Sequence, residues 1–280
     1  MNALEIKGLC KSYTGFELND IELTLPAGYI LGLIGENGAG KSTIIKLIMD
    51  LIRRDSGSIF VLGRDNREKF SLTKEDVGVV LDKVGFPESL NAKQINNIMK
   101  LTYKNWDERE FSSYIERFDI PLSKKFMEYS QGMRMKLGIA AALSHKPKLL
   151  ILDEATNGLD PVVRDDVNGI LNEFTRDETH SVLISSHIVS DLEKLCDYIA
   201  FIHKGRIMLC EEKDRLLEEF AFIQCSKEEL ERIPQSALRG VKRSVYNAEA
   251  VAERSALPKG IRSRPVTIEE LFVFMVKESA

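Results

Sequence analysis

The eight residues Gly35-Glu36-Asn37-Gly38-Ala39-Gly40-Lys41-Ser42, followed by Thr43, narrow what this chain can fold into more than any other stretch. They fit the pattern G-x-x-x-x-G-K-[ST], in which glycines let the backbone curl so that successive N–H groups point inward at phosphate oxygens. Such a loop needs a buried strand before it and a helix after it, whose positive dipole end faces the anion. Tyr29-Ile30-Leu31-Gly32-Leu33-Ile34 is a short apolar run, as expected of a strand in a covered sheet. From Ser42 to Leu51, Ile44, Ile45, Leu47, Ile48 and Leu51 recur at helical spacing. The motif therefore assigns Gly35, Asn37, Gly38, Ala39, Gly40, Lys41, Ser42 and Thr43 to a nucleotide's phosphates. Lys41 would reach the β- and γ-phosphates, and the Ser42 hydroxyl would complete a Mg²⁺ shell.

The alternation continues downstream. Ser56 to Gly63 reads as a returning strand. After Pro147, Leu149-Leu150-Ile151-Leu152 is a second buried strand, and helix, strand, helix and strand follow over 162–176, 181–186, 188–196 and 198–203. This pattern, with the first ~35 residues reading as strands and turns, predicts an α/β fold: a P-loop core with a mainly parallel sheet and an antiparallel β subdomain. A polar, Asn- and Lys-rich stretch carrying the only tryptophan, Trp106, interrupts it as an inserted helical subdomain over about 86–140. Beyond Cys210 the periodicity weakens. The expected division is an ATPase-sized domain over 1–210 and a small α+β extension over 211–280.

Composition sets the outer limits. The chain has 280 residues, 44% of them hydrophobic and 29% charged, which is enough to build a core and excludes global disorder. A net charge of −4 gives no basic field, and residues 211–280 carry 12 basic against 13 acidic side chains, so no nucleic-acid partner is expected. Cys10, Cys196, Cys210 and Cys225 lie far apart and read as reduced thiols. The N-terminal residues lack the apolar core of a secretory signal, and no apolar run approaches the ~20 residues needed to cross a bilayer. Any membrane role is expected to run through another chain.

Lys148-Leu149-Leu150-Ile151-Leu152-Asp153-Glu154 places two carboxylates at the end of a buried strand. Asp153 there can hold Mg²⁺, directly or through water, and Glu154 can polarise a water for in-line attack on the γ-phosphate.

The remaining motifs carry a family resemblance. Ser130-Gln131-Gly132-Met133 precedes a helix and resembles the signature motif of ABC ATPases, usually Leu-Ser-Gly-Gly-Gln. Thr156-Asn157-Gly158-Leu159-Asp160-Pro161 resembles their D-loop, and His187, in Ser185-Ser186-His187, their switch histidine. Tyr13 sits where the family places an aromatic that stacks on adenine. The closing Val266 to Phe272 is similar to a segment ending many export ATPases of the family. These elements occur in the family's order over about residues 4–210. The resemblance implies an ATP-binding and ATP-hydrolysing subunit of an ABC transporter, similar to those of ABC-2-type exporters. Its cofactors would be ATP and Mg²⁺. Its partners would be a second ABC ATPase subunit, identical or not, and integral membrane permease subunits. It would sit peripherally on the cytoplasmic face of the membrane. Each ATP would lie between one chain's Lys41 loop and the other's Ser130 and Gly132, with Glu154, His187 and Lys41 as the catalytic group and His187 contacting the γ-phosphate.

Three positions depart from the family pattern. Asp82 stands where the family usually has a glutamine; it is a further candidate metal ligand, or else it points towards the helical insert. Gln131 replaces the first signature glycine, and Met133 replaces the signature glutamine. Phe86-Pro87, the helical insert and Trp106 are candidates for a groove receiving a permease helix, set against ordinary packing. The alternative function, a soluble ABC-type ATPase of translation or DNA repair, usually brings two ATPase domains or a long coiled-coil insert, and this chain has neither. A P-loop kinase would leave the signature and D-loop without a purpose.

Overall fold

The computed structural model describes residues 1–68, 74–157, 159–244 and 247–278. Strands β1 (Asn2–Tyr13) and β2 (Phe16–Pro26) form an antiparallel hairpin in which Leu18, Ile21, Leu23 and Leu25 are buried. β3 (Ile30–Ile34) then leads through the glycine-rich loop into α1 (Lys41–Ile48). β4 (Ser56–Val61) and β5 (Arg64–Asp65) return to the hairpin, giving a four-stranded sheet ordered β2-β1-β4-β5. After β6 (Val77–Val80) comes the helical insert, α2 (Ala92–Thr102), α3 (Glu108–Arg117) and α4 (Gln131–Leu143). The insert thus ends slightly beyond the expected residue 140. Asn91 and Gln94 cap α2 reciprocally, and Asp107 caps α3 through the N–H groups of Arg109 and Glu110.

The chain then alternates β7 (Leu149–Asp153), α5 (Pro161–Phe174), β8 (Ser181–Ser186), α6 (Val189–Leu195), β9 (Tyr198–His203) and β10 (Arg206–Glu212). The second sheet is ordered β10-β9-β3-β8-β7-β6, parallel throughout except for the β9–β10 hairpin. It is covered on both faces, and its strands divide by period two. Leu31, Leu33, Leu149 and Ile151 pack towards α1 and the first sheet; Ile30, Ile34, Leu150 and Leu152 pack towards α4, α5 and α6.

The remainder comprises α7 (Lys213–Glu219), β11 (Phe220–Cys225), α8 (Lys227–Glu231), β12 (Leu238–Arg243), β13 (Ala248–Glu253), β14 (Ser263–Pro265) and α9 (Ile268–Glu278). Its antiparallel sheet is ordered β12-β13-β11-β14. The expected boundary at 210 falls inside β10. Leu216, Phe220, Val251, Leu271 and Phe272 belong to the same apolar cluster as Leu192, Leu195 and Phe201 of the nucleotide-binding half. The rings of Phe201 and Phe272 lie 5.2 Å apart.

Trp106 is a packing residue. Its Nε1 donates to Asn96 Oδ1 at 2.9 Å, and its ring lies 5.2 Å from Phe111. Phe86 meets Phe126 edge-on at 5.7 Å and lines a groove of about 510 Å³ between β6, α2 and α4, together with Leu90, Met99 and Tyr103. His145 closes the floor of this groove: its ring stacks on Tyr103 at 4.1 Å, and Nε2 stands 3.2 Å from Val77 O.

Burial holds His145 below the ordinary histidine value, against smaller opposing effects from the Ala141 and Val77 carbonyls and from Glu75 and Asp76. The unfolded chain therefore takes up a proton there before the folded chain does. The stability His145 confers is fully present above pH ~6.5 and is lost as pH falls below it, by up to about 1.4 kcal/mol per pH unit. Urea unfolding between pH 7.5 and 5 is expected to show this loss, and His145→Phe to remove that part of the slope.

Candidate functional site

Gly40 is the N-cap of α1, with φ of 118°, a conformation that side chains with a Cβ rarely adopt. A Cβ there would also meet Leu18 Cδ2 at 2.6 Å and Phe16 Cζ at 3.0 Å. The loop is thus wedged against the β1–β2 hairpin and stapled from below by Gly205 N donating to Ala39 O at 3.1 Å. Within it, Gly35, Ala39 and Gly40 are buried, whereas Glu36, Asn37 and Gly38 are exposed. Ser42 and Thr43 form the first turn of α1 and are half-buried.

Lys41 is drawn back into this loop. Its Nζ donates to Gly35 O at 2.7 Å and Glu36 O at 3.2 Å, and it pairs with Glu154 Oε1 at 3.1 Å. Only 5% of the lysine side chain and 11% of the glutamate side chain are exposed. The other carboxylate oxygen, Oε2, lies 2.7 Å from His187 Nδ1. An ionised carboxylate only accepts, so Nδ1 carries the proton of this bond and Nε2 is the ring nitrogen left to face a ligand. Lys41, Glu154 and His187 form one continuous polar chain.

Parallel register explains the convergence. Asp153 pairs with Ser185 across β7 and β8, and Ile34 pairs with Ser186 across β3 and β8, so three strand ends meet at one edge. Ser185 is a site residue that the motifs did not single out: its Oγ donates to Asp153 Oδ1 at 2.6 Å and accepts from Glu154 N at 3.1 Å. Glu154 itself has φ of 52°, a left-handed conformation held by these bonds. Strain of this kind costs about 1–3 kcal/mol and clusters at functional sites.

Other candidates are placed apart. Ser130 is the exposed N-cap of α4, and its Oγ accepts from Met133 N at 3.2 Å. Gly132 is in the first turn of that helix. Neither is hydrogen-bonded to Lys41, Asp153 or Glu154. Tyr13 is 45% exposed at the end of β1, with Lys11 Nζ 5.3 Å from its ring centre; the aromatic that reaches the loop is Phe16. In the D-loop-like segment, Asp160 caps α5 through Val162 N and Val163 N, and Gly158 lies outside the described residues. Asp82 is exposed just beyond β6 and lines a cleft of about 540 Å³ with Tyr129, Gln131 and Arg134. The walls of that cleft do not include Lys41, Ser42 or Asp153.

Ser42 and Asp153 offer a hydroxyl and a carboxylate, the oxygen donors that a hard cation prefers. Among the described residues, no group of three or more His, Cys, Asp or Glu side chains could hold a metal alone. Mg²⁺ commonly takes only one or two protein oxygens and completes its shell with phosphate and water, so this donor set suits it.

The family profile described as ABC transporter matches residues 18–157. The chain is 30% identical over 283 residues to the ABC transporter ATP-binding protein YtrB of Bacillus subtilis (strain 168), covering 96% of this chain and 97% of that protein. It is 37% identical over 214 residues to the lantibiotic transport ATP-binding protein SrtF of Streptococcus pyogenes, covering 75% and 91%. A solved ATP-binding subunit of an ABC transporter superposes with a TM-score of 0.68 at 27% identity, covering 76% of this chain and 91% of that one.

The buried Lys41–Glu154 pair has a measurable signature. Lys41→Met strands the buried Glu154 carboxylate without its ammonium partner and is expected to destabilise by about 3–5 kcal/mol. The double variant Lys41→Met, Glu154→Gln removes the stranded charge and should be the more stable of the two. Urea unfolding of both variants and of Glu154→Gln alone measures the coupling.

Proposed function

The chain belongs to the ABC transporter family as an ATP-binding, ATP-hydrolysing subunit, and from that premise we propose how its residues divide the work and which way transport runs. The observation that carries the proposal is the chain Lys41–Glu154–His187, centred on the one carboxylate that both other side chains touch. An arriving γ-phosphate competes with Glu154 for Lys41. Once the lysine turns to phosphate, Glu154 is released to accept a proton from water. The water oxygen bonds to phosphorus as the bond to the β,γ-bridging oxygen breaks, and ADP leaves with that electron pair. His187 holds Glu154 in place through Nδ1–H and presents Nε2 to the phosphate.

Ser42 and Asp153 would hold Mg²⁺, which supplies charge neutralisation at the phosphate oxygens when bound. Ser185 orients Asp153 for this through the 2.6 Å hydrogen bond. Ser130 and Gly132 would act on the ATP of a second subunit: with its oxygen accepting from Met133 N, the Ser130 hydroxyl keeps its proton to donate outward at a helix N-terminus, which supports this reading. Tyr13 offers an exposed ring face to adenine. No helix among the described residues is long and apolar enough to cross a membrane. Association with separate permease subunits on the cytoplasmic face fits this, with the groove lined by Phe86, Leu90, Met99 and Tyr103 receiving them. Export is the direction favoured, through the Ser-Gln-Gly-Met signature, the C-terminal segment from Val266 and the likeness to a lantibiotic transport protein.

Glu154→Gln tests the roles of the carboxylate. It removes the competitor for Lys41 and the proton acceptor together, so ATP should bind several-fold more tightly while turnover falls by about 10²-fold or more. Lys41→Ala should lose ATP binding. Nucleotide titration with single-turnover hydrolysis separates the two effects, and wild-type turnover in Glu154→Gln would refute the assignment.

Asp82 provides a second test. Its cleft is shared with Gln131 and Arg134, so two departures from the family pattern face one another, and we assign Asp82 to communication with the helical insert rather than to the metal. Asp82→Asn is expected to leave the Mg²⁺ midpoint of the isolated chain's ATPase unchanged and to diminish stimulation by the permease. A shifted midpoint would return Asp82 to the metal shell.

A further inference from the structure

Behind the catalytic carboxylate lies a polar cluster that the reaction described above does not use. Arg164, in the first turn of α5, divides its guanidinium between two elements. Nη2 donates to Leu159 O at 3.2 Å, and Nη1 pairs with Asp191 Oδ1 at 3.0 Å. Asp191 is in the first turn of α6, the helix that starts just after His187. Its side chain is 10% exposed and that of Arg164 is 25% exposed.

Followed round, these contacts close on the catalytic pair. Asn157 N donates to Glu154 O at 3.0 Å, and Leu159 N donates to Thr156 O at 3.3 Å. Leu159 O is tied to Arg164, and Arg164 to Asp191 at the head of α6. His187, just ahead of that helix, bonds Glu154 Oε2 at 2.7 Å. The ring therefore runs from Glu154 through the D-loop-like segment and back to Glu154.

A second observation sets this region apart. Among the described residues, the buried side-chain atoms without a hydrogen-bond partner are Thr156 Oγ1, Arg164 Nε, Asn168 Oδ1, Asp191 Oδ2 and the two ring nitrogens of His203. Thr156, Arg164 and Asp191 are members of this ring. A buried polar atom left unpaired costs about 1–3 kcal/mol, so such atoms are uncommon and their concentration here calls for an account. The ion pair uses one oxygen and one nitrogen while Arg164 Nε and Asp191 Oδ2 stay unused.

We propose that Arg164 and Asp191 are positioning residues for hydrolysis. Together they fix the Glu154–His187 pair relative to the segment around Leu159, so that a displacement of that segment is passed to the catalytic carboxylate. The inference rests on the assignment of Glu154 and His187 made above. It adds two residues whose side-chain bonds go to Leu159 O and to each other, and which act on Glu154 through geometry alone. Misplacement of a catalytic group by about 1 Å can cost about 10²-fold in rate, which sets the scale of the effect.

The test compares Arg164→Ala, Asp191→Ala, their double variant and Arg164→Lys in the full-length chain, measuring kcat and KM for ATP and the Kd of a fluorescent ATP analogue. Each alanine variant is expected to lower kcat by about tenfold or more while the analogue's Kd stays within about twofold. The double variant should be no slower than the slower single, because either change opens the same ring. Arg164→Lys should fall between wild type and alanine, since one ammonium cannot fork to Leu159 O and Asp191 together as guanidinium does. Unchanged kcat in the alanine variants, losses that multiply, or full activity in Arg164→Lys would each overturn the proposal. Where a single variant loses its native circular dichroism, the double variant decides, because it strands no buried charge. A wild-type chain that binds ATP and never hydrolyses it would instead overturn the assignment of Glu154.

Discussion

The functional edge depends on a parallel register. β3, β8 and β7 lie side by side with Ile34 opposite Ser186 and Ser185 opposite Asp153, so the phosphate loop, the histidine turn and the two carboxylates leave the sheet together. A slip of one residue in any of these strands would turn its side chains to the opposite face and exchange the two apolar layers. The layers prevent this. Leu149 and Ile151 pack on α1's side and Leu150 and Leu152 on the other, and all are fully buried. The ordinary demand of burying both faces of a sheet thereby sets catalytic geometry to within the reach of a hydrogen bond.

At that edge, charge is balanced internally. Lys41 is satisfied by two loop carbonyls and Glu154, and Glu154 by Lys41 and His187. In a setting this buried, separated charges would be costly, so without nucleotide the site neutralises itself. On the proposed reading, a triphosphate exchanges partners with groups already paired, and part of its binding energy goes into freeing the Glu154 carboxylate.

The core motifs were legible because each is local. Gly35 to Thr43 is continuous, and Asp153-Glu154 closes a strand whose apolar run is its own signal. Ser185 escaped notice because its importance comes from the β7–β8 register, which joins residues far apart in the chain. Arg164 and Asp191 lie on separate helices, and each alone reads as an exposed charge in a first helical turn. At the hairpin, the contact of Phe16 with the loop was not legible, because it comes from alternation along β2, which turns the ring towards Gly40. The C-terminal strands were legible only as a class. Ala248, Ala250 and Ala252 of β13 would suit a helix by propensity, yet all are fully buried in a sheet. Their side chains pack into a small cluster with Ile223, Leu230 and Ile233, whereas the intervening Val251 turns to the opposite face and joins the core that holds Leu271 and Phe274 of α9.

The apolar cluster that crosses residue 210 ties the two ends of the chain into one thermodynamic object. Leu192 and Leu195 of α6 and Phe201 of β9 share a core with Leu271 and Phe272 of α9, and none of these side chains is more than 9% exposed. Detaching the last helix would open wet surface directly beneath the helix that follows His187, so the C-terminal sheet cannot melt quietly while the catalytic edge stays intact. Loss of order at one end is transmitted as a loosened floor at the other, which makes the final residues custodians of an active site they never touch.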